Sequence, residues 1–349
     1  PPRLTPNPDR GAKHHLAATT GDNVTVQANR PLAPLVTLRA GGAAERFAIA
    51  RSPEELAELV EMEKGVPTIL GWGSNVLPAD AGVPGLVILN LARNIEIEGT
   101  TLTADSGAGM GDVFLAAAQA GLGGLEFGVG IPGTIGGALV SNAGAYRNEI
   151  GSLVTRLQVI ELGEIECGGT QEAVIREGET KWVGPEWMAF SYRDSRLRAG
   201  ERRREAILRV ELQLVRENAR RIYDLARENQ RQRIGKQPPS ASAGSFFKNV
   251  LDPELAQSLP ALTDGMRANG VIPAGVLIEA CGLKGLRLGG AAIGTRHANF
   301  LLNLGGASAT ELRSLAHHAQ VRVFERFGAK LEEEVLYLGD WTRFTPLPL

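Results

Sequence analysis

Two glycine-rich segments carry residue types that could do chemistry in this chain. Residues 121–146 read GLGGLEFGVGIPGTIGGALVSNAGAY, and residues 71–75 read GWGSN directly after an apolar run. Glycine lacks a Cβ and readily adopts positive φ, so successive backbone N–H groups can face an anion. We predict that both segments cradle a diphosphate, with N–H groups from Gly130, Gly133, Gly136 and Gly137, a hydroxyl from Thr134 and an amide from Asn142.

The same glycines also suit a simpler interpretation. Glycine clusters are common in tight turns, and GWGSN does not match the dinucleotide fingerprint, because Val76, Leu77 and Pro78 do not open a helix. Because the chain has two such clusters, each beside a predicted strand, a diphosphate cradle and a pair of tight turns are about equally supported.

Three short polar segments follow later in the chain. They read FSYRDS at 190–195, AGSFFKN at 243–249 and LEEEV at 331–335. Taken singly, each has an ordinary structural explanation: an ion pair across a turn for Arg193, a turn or helix cap for Ser245, and a solvated strand edge for Glu334. Only their joint occurrence suggests a site.

Composition excludes several classes of protein. The chain has 349 residues, which suits two or three domains, and its 43 glycines exceed the usual share of about 7 %. A net charge of −2 gives no general attraction to nucleic acid or to anionic membranes. No apolar run reaches the roughly 18 residues that a membrane span needs. We therefore expect neither nucleic-acid binding nor membrane insertion.

Cysteine and histidine usage gives no metal site. Cys167 and Cys281 form no C-x-x-C pair, which favours a reducing, cytoplasmic location without a disulfide. The five histidines include two adjacent pairs, and neighbours in sequence cannot share a helix face as metal ligands do. We assign no metal.

The elements that must position these residues alternate along the chain. We expect residues 1–23 to form a poorly ordered leader. A helix is predicted to begin at Ser52, another to span 110–120 before Gly121, and a basic one to span 218–233. A last helix begins with the capping box of Ser308 and Glu311 and ends at Gly328. Strands are expected at 47–50, 68–70, 86–89, 95–97, 157–162, 172–175 and 206–214.

Taken together, these blocks resemble the UDP-N-acetylenolpyruvoylglucosamine reductase (MurB) family. The resemblance runs from about residue 29 to about 341 and rests on the blocks PLAPLVTLRAGGAAE, LGWGSNVLPAD, GLEFGVGIPGTIGGALVSNAGAY, FSYRDS, AGSFFKN and LIEACGLKG to HANF with LEEEV. It implies an α+β fold, with a two-subdomain FAD-binding unit of the vanillyl-alcohol-oxidase (PCMH) type plus a C-terminal α+β substrate-binding domain. We place these parts at 24–90, 91–215 and 216–329, with a strand in 330–349 returning to the FAD unit.

The resemblance implies an enzyme, UDP-N-acetylmuramate dehydrogenase, in which FAD carries hydride from NADPH to UDP-N-acetylglucosamine enolpyruvate during peptidoglycan synthesis. Catalysis falls to three residues: Arg193 stabilises the developing negative charge, Glu334 acts as an acid with a raised pKa, and Ser245 protonates the α-carbon. Cofactor contacts fall on Gly71, Trp72, Gly73, Ser74, Asn75, Gly130, Ile131, Pro132, Gly133, Thr134, Gly136, Gly137, Asn142, Ala143 and Gly144. Substrate contacts fall on Tyr146, Arg193, Asn249, Lys284 and His297.

The chain also departs from the family pattern. Between Leu214 and Ser245 it lacks a longer insert in which some members carry a tyrosine that closes over the substrate, so it resembles the shorter subclass. A valine, Val250, follows Asn249 where a proline is usual. Two other functions stay open: a flavin oxidase of the same fold acting on another small substrate, and a non-catalytic nucleotide-sugar-binding protein. We expect a monomer.

Overall fold

The computed structural model describes residues 25–162, 178–199 and 203–349. The predicted leader and the predicted strand at 172–175 lie outside these ranges. No helix in the described part of the chain is long and apolar enough to cross a membrane.

The first part of the chain forms a small mixed sheet with one helix. The strand order is β1-β2-β5-β3, in which β2, β5 and β3 run parallel and β1 pairs antiparallel with β2. The helix α1 begins as predicted, because Ser52 Oγ accepts the N–H of Glu55 at 3.1 Å. The elements are β1 (Gln27–Pro31), β2 (Ala43–Ala50), α1 (Pro53–Met62), β3 (Thr68–Leu70), β4 (Val76–Pro78) and β5 (Val83–Asn90).

The second part is built on a five-stranded antiparallel sheet. Its order is β12-β11-β13-β7-β6, and helices α2 and α3 pack on it around a core that includes Val113, Ile135, Leu157 and Val210. The elements are β6 (Ile95–Glu98), β7 (Thr101–Asp105), α2 (Met110–Gln119), β8 (Leu122–Gly123), α3 (Ile135–Val140), β9 (Gly144–Ala145), β10 (Asn148–Glu149), β11 (Val154–Glu161), β12 (Glu179–Val183), α4 (Arg196–Ala199), β13 (Glu205–Gln213), β14 (Val215–Arg216) and α5 (Ala219–Lys236).

The third part packs a small antiparallel sheet, β17-β18-β19, against helices α8 and α9. Helix α9 begins with the predicted capping box of Ser308 and Glu311 and ends at Gly328 with φ 67°. The elements are β15 (Val250–Leu251), α6 (Pro253–Ser258), α7 (Asp264–Asn269), β16 (Val271–Ile272), α8 (Ala274–Ala280), β17 (Arg287–Leu288), β18 (Ala291–Ile293), β19 (Leu301–Asn303), α9 (Ala309–Phe327) and β20 (Leu336–Leu338).

The last strand crosses back to the first part of the molecule. Strand β20 pairs parallel with β4, which directly follows the GWGSN segment. Leu336 donates its N–H to Asn75 O at 3.0 Å, so the acidic run 332–334 ends beside that segment. The pairing of β20 with β4 therefore brings the acidic run beside the GWGSN segment, which lies far from it in sequence.

Candidate active site

Two glycine loops lie against each other at the centre of the site. The first glycine loop is residues 71–75 and the second is residues 130–134. Ser74 Oγ donates to Pro132 O at 2.8 Å. A Cβ added to Gly71 would collide with the side chain of Thr134, and one added to Gly133, whose φ is +136°, would lie 2.9 Å from Ser74 Oγ. Both loops need glycine for this close approach.

The glycines after the second loop differ from the prediction. Thr134 is the N-cap of α3, and residues 136 and 137 lie in the first turn of that helix. Gly136 donates its N–H to Ser106 O at 2.8 Å, and Gly137 donates to Thr134 Oγ1 at 3.2 Å. The prediction that these two glycines leave free N–H groups is wrong, because a helix begins here and its cap uses them.

Other N–H groups of the two loops suit an anionic guest. Within the described residues, the backbone N–H groups of Trp72, Gly73, Ser74 and Asn75 donate no hydrogen bond, and neither do those of Gly130, Gly133 and Thr134. Backbone donors that lack an acceptor inside a protein normally meet solvent or a ligand. These loops therefore fit the diphosphate of FAD, which backbone N–H groups can bind without strong positive charge.

Asn142 bonds the protein through its side-chain amide. It is fully buried, its Nδ2 donates to Ser191 O at 2.8 Å, and its Oδ1 accepts the N–H of Gly151 at 3.1 Å. Each end of its amide thus bonds the protein, and the prediction that Asn142 also contacts the cofactor stays a prediction. The side chain ties the segment after α3 to the turn that carries Arg193.

Arg193 lies in a strained two-residue turn. Ser191 and Asp194 exchange two backbone hydrogen bonds of 3.1 Å each, and Arg193 between them has φ 53°, in the left-handed region that non-glycine residues avoid. Its guanidinium donates to Asn142 O at 3.3 Å and also to Gly144 O. These contacts hold the guanidinium plane, with its Nε directed at Glu334.

A short pairing between two distant segments delivers Ser245 and Glu334. Glu334 N donates to Phe246 O at 2.7 Å, and Lys248 N donates to Glu332 O at 2.8 Å. Ser245 directly precedes this pairing and is half-buried. Its hydroxyl makes no hydrogen bond to any described residue. The structure thus brings the Ser245 segment and Glu334 together, as predicted.

Glu334 lies 3.5 Å from Arg193, measured from Oε1 to Nε. Burial raises the pKa of Glu334 above its usual range, and the charges of Arg193, Arg198 and Lys248 oppose that rise. The raised direction agrees with the expectation that Glu334 acts as an acid. In its protonated form, a carboxyl beside a fixed guanidinium can donate a hydrogen bond while the arginine supplies charge.

The structure places the predicted substrate residues in different surroundings. Tyr146 Oη donates to Asn229 O at 2.9 Å, and Asn249 is exposed beside the buried Lys248. His297 Nδ1 accepts the N–H of Asn299 at 3.2 Å, and the Asn299 amide in turn bonds the backbone of Phe247. Tyr146, Asn249 and His297 therefore border the elements that carry the three catalytic candidates.

Lys284 lies in the loop after α8 and forms a 2.6 Å ion pair with Glu279. No hydrogen bond or ion pair in the described ranges joins Lys284 to Arg193, Ser245 or Glu334. The prediction that it contacts substrate stays a prediction.

Sequence reasoning did not identify Arg233, which helix α5 directs towards the second glycine loop. A Cβ on Gly130 would lie 3.0 Å from Arg233 Cδ, and its guanidinium donates to Phe127 O at 3.3 Å. Its Nε is buried without a hydrogen-bond partner among the described residues. Burial lowers the pKa of Arg233, the nearby Tyr146 opposes that change, and the charge of Arg193 adds to it. The basic helix pattern was the only signal, and it does not distinguish one inward arginine from several solvated ones.

Comparison with known families agrees with this geometry. Residues 44–165 match the family described as "FAD binding domain", and residues 236–338 match "UDP-N-acetylenolpyruvoylglucosamine reductase, C-terminal domain".

Curated relatives extend the similarity over most of the chain. The UDP-N-acetylenolpyruvoylglucosamine reductase of Synechococcus sp. (strain JA-3-3Ab) is 38 % identical over 90 % of this chain and 92 % of its own. That of Bacillus subtilis (strain 168) is 32 % identical over 90 % of this chain and 94 % of its own. The crystal structure of the enzyme from Thermus caldophilus matches with a TM-score of 0.67 and 31 % identity, covering 90 % of this chain and 99 % of that one.

The fold and the comparisons define a FAD-binding oxidoreductase in which an FAD-binding part is followed by a C-terminal α+β domain. The predicted fold class and cofactor class are confirmed. Since relatives above 30 % identity align over nine-tenths of its length, the chain belongs to the UDP-N-acetylenolpyruvoylglucosamine reductase (MurB) family.

Proposed function

We propose that this protein reduces UDP-N-acetylglucosamine enolpyruvate to UDP-N-acetylmuramate, with FAD as cofactor and NADPH as reductant. One observation carries the proposal: Asn75 in the first glycine loop donates its Nδ2 to Glu334 O at 2.9 Å. The loop that suits the flavin diphosphate is therefore bonded directly to the backbone of the acid, two residues before β20.

When bound, FAD supplies the hydride that adds to the β-carbon of the enolpyruvyl group, having received it from NADPH. The addition builds negative charge on the α-carbon and its carboxylate. Arg193 is proposed to hold that carboxylate, because a guanidinium fixed by two backbone carbonyls is already oriented before the charge develops. Such preorganisation costs no rearrangement at the moment of reaction.

Two further residues manage protons. Glu334, whose pKa is raised by burial, is proposed to donate a hydrogen bond from its protonated form to the enol form of the same carboxylate. Ser245 is proposed to give its hydroxyl proton to the α-carbon, which completes the reduction of the double bond. Hydride on one carbon and a proton on the other balance the reaction.

Binding of the nucleotide-sugar is proposed to use cations and polar groups around Arg193 and Glu334. Arg233 and Arg193 lie near each other, and among the described residues Arg233 has no carboxylate partner. Two neighbouring cations favour an anionic ligand, and a diphosphate or carboxylate supplies the missing charge. Tyr146, Asn249, Lys284 and His297 are proposed to complete the contacts to the sugar and the diphosphate.

The test is an anaerobic visible spectrum of the purified protein. We expect NADPH to bleach the flavin band and the enolpyruvyl nucleotide-sugar to restore it. Restoration by oxygen but not by the nucleotide-sugar would replace this function with a flavin oxidase. Protein that carries no flavin and binds none would leave a nucleotide-sugar-binding role. The cytoplasmic location and the monomeric state stay predictions.

A further inference from the structure

Arg198 contacts the acid strand, defined as residues 332–338, which comprises the acidic run and β20. It lies on the short helix α4, five residues after Arg193, and its side chain is 8 % exposed. Its Nη1 donates to Glu334 O and its Nη2 donates to Glu333 O, both at 2.8 Å. One guanidinium therefore holds two consecutive carbonyls of the segment that carries the acid.

Arg198 also belongs to a chain of charges that joins three segments. Its Nε lies 3.8 Å from the Asp194 carboxylate, and Lys248 Nζ lies 3.4 Å from the same carboxylate. Lys248 also pairs with Glu332 at 2.5 Å. Asp194 directly follows Arg193, Lys248 lies three residues after Ser245, and Glu332 lies two residues before Glu334. The network therefore links the neighbours of all three proposed catalytic residues.

The contact has a geometric consequence for Glu334. Two parallel hydrogen bonds from a rigid, planar donor fix the orientation of the peptide groups on either side of the Glu334 Cα. That orientation sets the direction in which the carboxyl leaves the backbone, towards Arg193 at 3.5 Å. A misplacement of about 1 Å at a reacting group can cost on the order of 100-fold in rate.

We propose that Arg198 is a positioning residue, which holds the backbone of Glu333 and Glu334 so that the Glu334 carboxyl meets the substrate carboxylate beside Arg193. This inference rests on the proposed function. In that function Arg198 touches neither substrate nor cofactor and acts through the backbone of Glu333 and Glu334. Loss of Arg198 should therefore slow the half-reaction that uses the acid and leave the rate of flavin reduction by NADPH unchanged.

The test compares Arg198→Met and Arg198→Lys in rapid-mixing measurements of the two half-reactions. We expect Arg198→Met to slow reoxidation by the enolpyruvyl nucleotide-sugar about 100-fold, and to change flavin reduction by NADPH by less than about twofold. Arg198→Lys keeps the charge and can reach one carbonyl, so it should recover about tenfold of that loss. The pH profile of reoxidation should move to higher pH in Arg198→Met, because one of the three cations facing Glu334, the others being Arg193 and Lys248, is gone.

Arg196→Met is the matched control. Arg196 lies on the same short helix, but it pairs with Glu161 and Glu205 and stacks on Trp187 at 4.0 Å, away from the acid strand. Its reoxidation rate and pH profile should match those of the unsubstituted protein.

Two results would overturn the role of Arg198: reoxidation at the original rate in Arg198→Met, or an equal loss in both half-reactions together with a lower melting temperature. If Arg198→Met does not fold, an Arg198→Lys variant with unchanged reoxidation rate and pH profile would also overturn it. Failure of the nucleotide-sugar to reoxidise the unsubstituted protein would instead count against the proposed function.

Discussion

Arg193 is held in place by an unusual backbone conformation and by short hydrogen bonds to backbone carbonyls. Arg193 has φ 53°, and such conformations in non-glycine residues persist only where the surroundings impose them. The surroundings here are the paired backbone bonds of Ser191 and Asp194 and the two carbonyls that the guanidinium reaches. These contacts fix the planar fork of the guanidinium, and not only the position of its charge.

Arg193→Lys should therefore lower kcat about 100-fold, because an ammonium cannot reach both carbonyls and the substrate carboxylate together. Steady-state kinetics with the nucleotide-sugar measure the effect. The control is Arg39→Lys, where the residue has φ 52° but an exposed side chain, and there kcat should not change. Normal turnover in Arg193→Lys would remove Arg193 from the mechanism.

Ser245→Ala tests the proton donor. The hydroxyl is proposed to act after hydride addition, so reduction of the flavin by NADPH should stay within about twofold while reoxidation by substrate falls at least about 100-fold. Single-turnover measurements of each half-reaction separate the two. The control is Ser258→Ala at the end of α6, where the hydroxyl donates to Leu255 O and to no other residue that the structure describes. Parallel losses in both halves would contradict the assigned role.

Glu334→Gln tests the acid through stability. Burial raises the Glu334 pKa, so the folded protein holds this proton more tightly than the unfolded chain. The stabilisation from that proton is complete below the unfolded pKa of about 4.3 and is lost as pH rises through the raised folded pKa. Glutamine mimics the protonated acid at every pH. The melting temperature of Glu334→Gln should match that of the unsubstituted protein at low pH. It should exceed that value increasingly as the pH rises from the unfolded to the folded pKa. A difference in melting temperature that stays constant with pH would show that burial does not favour the neutral acid.

Among the elements, those with strong local signals were predicted well and those fixed by tertiary contacts were not. The ends of α9 followed from the capping box and Gly328, and α1 followed from Ser52 and Pro53. Helix α3 was missed, because two glycines in its first turn disfavour a helix, and the Thr134 cap, the buried Ile135 and backbone bonds to Ala108 and Ser106 stabilise it. Its N–H groups were for that reason wrongly assigned to the cofactor.

Gly133→Ala should weaken FAD binding and lower stability, since this residue has φ +136° and the new Cβ would lie 2.9 Å from Ser74 Oγ. Fluorescence titration of the apoprotein with FAD, and thermal unfolding, measure the two effects.

The matched control is Gly111→Ala in the first turn of α2. A Cβ there meets nothing within 4 Å, and the backbone is helical. This variant should gain about 0.4–1 kcal/mol of unfolding free energy and keep its FAD affinity. If both alanine variants bind FAD equally well, the second glycine loop does not need its glycine for the cofactor.

At the scale of the whole molecule, the site depends on contacts between residues far apart in sequence. Asn75 and Glu334, which are bonded to each other, are 259 positions apart, and no periodicity or spacing predicts that pairing. The family resemblance implied which residues meet, but it did not identify Arg198, Lys248 or Arg233 as the groups that surround them. Burial and pairing of those cations appear only once the parts of the fold are packed together.

Asp80 is a second link between the first part of the chain and the third. Its carboxylate accepts the N–H groups of Ala309 and Thr310, each at 2.8 Å, and the Thr310 hydroxyl at 2.7 Å, at the positive end of α9. Strand β4, which leads into Asp80, pairs with β20 behind Glu334. Fixing α9 on this loop therefore also fixes the relation of the acid strand to the first glycine loop.

Asp80→Ala should lower the unfolding free energy by about 1–2 kcal/mol, the usual cost of losing a charged helix cap. Urea denaturation followed by circular dichroism measures this loss. The control is Asp340→Ala. Among the described residues, Asp340 hydrogen-bonds only to Thr342 within its own turn, so its loss should change stability by less than about 0.5 kcal/mol. Because the link also aligns the acid strand, reoxidation by substrate should slow in Asp80→Ala while flavin reduction stays unchanged. Equal stability of the two variants would mean that α9 is held in place by its own capping box and buried face alone.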